Sequence, residues 1–134
     1  MSQEELEYRL LSDLQALNLP VNEVELQIRP FSKTYYGRYL PVYEEESNVL
    51  PIVRIYPFAD EENEKLLDYE EILKTTIHEL CHHIQYMDKS FVRLKGCMHN
   101  EQFWRLYNHY CNRATRLQLI GGEKSEKRQQ SKAV

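Results

Sequence analysis

No run of apolar residues in this chain approaches the length needed to cross a bilayer. The opening residues, Met1-Ser2-Gln3-Glu4-Glu5, are acidic with no apolar stretch behind them, so the sequence predicts no secretory signal. Cysteine is scarce. The three present (Cys81, Cys97 and Cys111) are odd in number and include no Cys-x-x-Cys pair. That excludes a disulfide framework and a separate zinc ribbon, and makes a reducing, cytoplasmic setting the expectation. No internal repeat is visible. Over 134 residues there is room for one core, and a hydrophobic share of 42% is enough to fill it, which excludes a wholly disordered chain.

What is there is unevenly charged. Residues 1–83 carry 17 acidic and 7 basic side chains, a balance of −10, whereas residues 84–134 carry 4 and 10, a balance of +6. The basic part predicts weak, salt-sensitive DNA binding; an ordinary solvated helix followed by a basic tail accounts for the same charges.

Ser2 and Glu5 form a capping-box pattern ahead of Leu6, Leu10, Leu14 and Leu17 at helical spacing, with Pro20 as the expected stop. Val24, Leu26 and Ile28 alternate with polar residues as in a half-buried strand. Residues 34–43 suit a second strand and Leu50 to Tyr56 a third, with Pro51 suggesting an edge position. Glu44–Asn48 and Asp60–Glu64 read as loops. From about Asp68 the period becomes helical, with Ile72, Leu73, Thr76, Ile77, Leu80 and Ile84 on one stripe. Residues 88–98 read as a connection, with a short strand at Phe91–Leu94. Asn100 can cap a last helix that Gly121-Gly122 would stop. The expected architecture is α+β: one domain over residues 1–121 with an N-terminal helix, a three-stranded sheet and two later helices, then a disordered basic tail over 122–134.

The segment His78-Glu79-Leu80-Cys81-His82 carries the chemistry. Histidines four apart share a helical face and can reach one ion. The glutamate between them lies about 100° round the helix, near enough to act on water without ligating the metal. Imidazole ligands favour one catalytic zinc over magnesium or calcium. Composition alone would produce such a match roughly one time in fifty, so its place inside an amphipathic helix matters.

A catalytic zinc takes a third protein ligand and keeps an open position. His99 is the first candidate, because it directly precedes the Asn100 cap and lies four residues before Phe103. Asp88, six residues after His82, and Glu101, in the first turn of the last helix, are the alternatives, and Cys97 is a further soft-ligand candidate. Cys81 points away from the two histidines and reads as a buried filler. His83 and His109 read as ordinary polar residues. Any one of the ten tyrosines could stabilise an oxyanion, and none is singled out.

His78-Glu79-Leu80-Cys81-His82, a gap of sixteen residues, and then His99-x-x-x-Phe103-Trp104 resembles the SprT-like family of zinc metalloproteases, which includes the Spartan-type proteases that cut DNA-crosslinked proteins. The resemblance spans roughly residues 20–107. It implies a zincin-like fold, zinc on His78, His82 and His99, Glu79 as the catalytic base, and a protein or peptide substrate bound by strand addition, here along Leu50–Tyr56. DNA-associated proteins would be one substrate class. The chain departs from the family in having Asn100 where a glycine usually follows the third histidine, and in lacking the zinc ribbon and any DNA-binding module after the catalytic part. Two other functions fit the residues: a non-catalytic, metal-stabilised binding or regulatory module, and a zinc hydrolase of a non-peptide amide or ester.

Overall fold

The computed structural model describes residues 1–42, 49–88 and 99–121. Along them run helix α1 (Gln3–Ala16), a single 3-10 turn (Val21–Glu23), strands β1 (Glu25–Ile28), β2 (Gly37–Leu40) and β3 (Ile52–Ile55), and helices α2 (Tyr69–Met87) and α3 (Glu101–Arg116). The class is α+β, with a three-stranded mixed sheet. The expected strand at Phe91–Leu94, the loop Glu44–Asn48 and the tail 122–134 lie outside the described residues. None of the described helices is long and apolar enough to cross a membrane.

The Ser2 capping box forms as its residue types dictate. Glu5 N–H donates to Ser2 Oγ at 3.1 Å and Ser2 N–H to Glu5 Oε1 at 3.4 Å. The leucines at 6, 10 and 14 then turn one face of α1 into the core. Neither outer helix ends where the sequence suggested. α1 stops four residues before Pro20, with Asn18 left-handed (φ 60°), and α3 stops at Arg116 with Gln118 left-handed (φ 59°). In both, the residue two past the cap returns its N–H into the last turn, Leu19 to Leu14 O and Leu119 to Ala114 O. This is the Schellman closure, made here with Asn and Gln in place of the usual glycine.

The strand order is β1-β3-β2, with β1 parallel and β2 antiparallel to β3. The segment expected at an edge, Leu50–Tyr56, is therefore central. Pro51 precedes the first paired residue, so its missing N–H costs no ladder bond, and its carbonyl accepts from Glu25 N–H at 2.8 Å. Strand addition along β3 is ruled out because both its sides are paired; among the described residues the edges are β1 and β2. One sheet face, with Val53 and Ile55, packs on α2. The core joins these residues to Leu6, Leu10, Leu14, Ile77, Leu80 and Phe103.

Leu10 is fully enclosed, so Leu10→Ala should cost about 2–5 kcal/mol in a denaturant melt; a loss within about 0.5 kcal/mol, the range of a surface change, would contradict the core described.

Candidate metal centre

α2 is amphipathic in an unusual way, since nearly all of it is inside. Besides its apolar stripe it buries Lys74, Thr75, Thr76, His78, Glu79, His82, His83 and Gln85. Buried polar groups demand partners. Thr76 finds one locally, its hydroxyl donating to Ile72 O at 2.7 Å, and Lys74 lies 3.8 Å from Glu70. The histidines look outward from the helix on two different faces.

His78 and His82 face α3. Their Nε2 atoms lie 3.1 and 3.0 Å from Nε2 of His99, which stands just ahead of the α3 cap. Asn100 holds that cap by accepting from Phe103 N–H at 2.9 Å. Phe103 forms the floor of the cluster, stacked on His82 with ring centroids 4.6 Å apart and edge-on to His78 and His99. Trp104 lies beside His78 and His99, at 5.8 and 5.7 Å between centroids.

Three ring nitrogens converging on one point suit a cation. A tetrahedral ion with nitrogen bonds of about 2.0–2.1 Å would set its ligand nitrogens roughly 3.3 Å apart, close to the spacing found. Protonation also favours it, because metals bind neutral imidazole. Burial, then the neighbouring His82 and His99, push the His78 pKa down to about 2, and burial lowers that of His99. The His78 Nδ1 atom is buried without a hydrogen-bond partner among the described residues. His78, His82 and His99 can thus hold a metal ion between them.

Among the described residues, the other candidate ligands are not brought to this point. Glu101 is exposed and paired with Arg105 at 2.7 Å, and Asp88 is the C-cap of α2, in extended conformation beyond the last turn. Cys97 lies outside the described residues. Cys81 is fully buried, and burial, with Cys111 and Glu79 nearby, keeps its thiol protonated. Of the ten basic residues in 84–134, only Arg105, Arg113 and Arg116 are among those described.

Glu79 projects from α2 towards β2, where its side chain packs against Gly37. One turn on, His83 corrects the sequence reading. It is not a solvated polar residue but is 1% exposed, with Nδ1 2.7 Å from the Tyr39 hydroxyl and Nε2 3.0 Å from Glu23. The Glu23 carboxylate can only accept, so Nε2–H donates to it, and Nδ1 is left to hydrogen-bond the Tyr39 hydroxyl. Tyr39 was one of ten tyrosines to the sequence; the alternation that points residues 37 and 39 to the same face was the available signal.

An unfolded histidine takes a proton near pH 6.5, while folded His78 resists protonation down to about pH 2. The folded state thus binds fewer protons between those values. The metal-free protein should keep full stability above about pH 6.5 and lose up to about 1.4 kcal/mol per pH unit for this one histidine as the pH falls. Melting curves from about pH 7.5 to about pH 5 check this; unchanged stability across that range would contradict the neutral, buried state of His78. Compared with protein-family models, with curated proteins and with solved structures, the chain has no significant match.

Proposed function

We propose that the chain is a zinc-dependent metallopeptidase with a zincin-like, SprT-like catalytic domain. The observation that carries this is the convergence of the His78, His82 and His99 Nε2 atoms, with Glu79 one residue round the helix. A zinc ion held there would polarise a substrate carbonyl and lower the pKa of a water beside it. Glu79 takes a proton from the attacking water and delivers it to the leaving nitrogen. Phe103 and Trp104 pack against the imidazole rings and fix their planes.

An extended peptide substrate lies beside β2, the strand that packs against Glu79. Tyr56 N–H donates to Tyr36 O, so Tyr36, Arg38 and Leu40 direct their backbone groups to β3. Gly37 and Tyr39 alternate with these, and both face α2. The strand nearest Glu79 is thus the one on which a substrate backbone would align.

Glu79→Gln should retain zinc while peptide hydrolysis falls by a factor of about a hundred or more; an unchanged rate would end the mechanistic reading. His99→Ala should sharply reduce zinc content, measured by elemental analysis after dialysis, and Glu101→Ala should not. The reverse pattern would dissolve the three-histidine assignment and the SprT-like reading with it.

A further inference from the structure

Gly37 opens β2 and is buried against α2. A Cβ placed on it would stand 2.6 Å from Thr75 Cγ2, 3.1 Å from Glu79 Cγ and 3.2 Å from Glu79 Oε2. The first distance is a clash, and the other two would oblige Glu79 to shift by a few tenths of an ångström. A glycine within a strand carries an entropic cost and packs no side chain. Its φ is not in the left-handed region, so the backbone conformation does not call for glycine at this position. What position 37 requires is space, and that space belongs to Thr75 and to the side chain of Glu79.

We propose that Gly37 is a positioning residue for Glu79. The bare backbone of β2 closes on α2 and forms the wall against which the Glu79 side chain rests. Tyr39, two residues along the same strand, shares a hydrogen bond through its hydroxyl with His83, one helical turn beyond Glu79. The gap between strand and helix is therefore set on both sides of the glutamate, by contact at one point and by a hydrogen bond at the next. A general base must lie within a fraction of an ångström of its working position, which is what such a wall supplies. The inference rests on the reading of Glu79 as the base.

Packing against Thr75 and positioning of Glu79 can be separated by moving one methyl group. Gly37→Ala alone should destabilise the fold through Thr75 Cγ2. Thr75→Ser removes that methyl, so Gly37→Ala/Thr75→Ser keeps the total volume and leaves Glu79 as the group crowded by the new Cβ. Against Thr75→Ser as reference, the double variant should melt at a similar temperature and bind one equivalent of zinc. Its zinc-loaded crystal structure should show the Glu79 carboxylate displaced, and kcat on a peptide substrate should fall by about tenfold with KM little changed. A carboxylate in its original place, a kcat within about twofold of the reference, or a double variant as unstable as Gly37→Ala would each overturn the proposal. If the unaltered protein cleaves no peptide, the peptidase reading fails by itself. The carboxylate position then decides the Gly37 proposal alone, displacement supporting it and an unmoved group overturning it.

Discussion

The burial of α2 between a sheet and α3 is the constraint on which the rest of the structure depends. A helix enclosed on two sides cannot leave its polar side chains to water, and each buried polar group without a partner costs on the order of 1–3 kcal/mol. α2 resolves this face by face. Towards β2, His83 is satisfied by Tyr39 and Glu23, and Glu79 lies against the bare backbone of Gly37. Towards α3, His78 and His82 meet aromatic rings and a third histidine. Three imidazoles brought nitrogen to nitrogen beside aromatic rings have few protons to share among themselves. They gain a great deal from a shared cation.

The same enclosure gives α2 two polar sides of different chemistry. The α3 side is a set of histidines able to hold a metal ion, rigid because Phe103 is in the core and Asn100 fixes the start of the helix. The β2 side holds the carboxylate and the strand that faces it. α2 carries both within five residues, so movement of the helix would disturb the histidine cluster and the Glu79 carboxylate together. Glu70, at the N-terminal end of α2, accepts from Gly121 N–H at 3.1 Å and ties the helix to the chain beyond α3. Arg9 over the Tyr69 ring at 3.5 Å, and the Tyr69 hydrogen bond to Asp13, tie it to α1.

The helical part of the site could be read directly from the sequence, because four-residue spacing is a local property that α2 preserves. His99 could be read because it stands beside a capping residue, and Asn100 behaves as its side chain predicts. The sheet was harder. Pairing partners are distant in sequence, and a proline near the start of β3 suggested an edge where the strand order puts the centre. Asn18 and Gln118 adopt the left-handed turns that glycine usually provides, so neither helix end carried its usual signal. His83 and Gly37 were invisible for a shared reason. Their importance comes from what faces them across the strand–helix gap, and no periodicity within one segment reports that.

The central claim is that His78, His82 and His99 bind one metal ion and that no other side chain completes the set. X-ray absorption on the zinc-loaded protein tests this most directly, because it identifies the atoms around the ion without regard to any substrate. The account predicts three imidazole nitrogens at about 2.0–2.1 Å, a light-atom fourth neighbour and no sulfur. A sulfur neighbour at about 2.3 Å would bring Cys97 into the site, close its fourth position and contradict the account; so would a protein that retains no zinc.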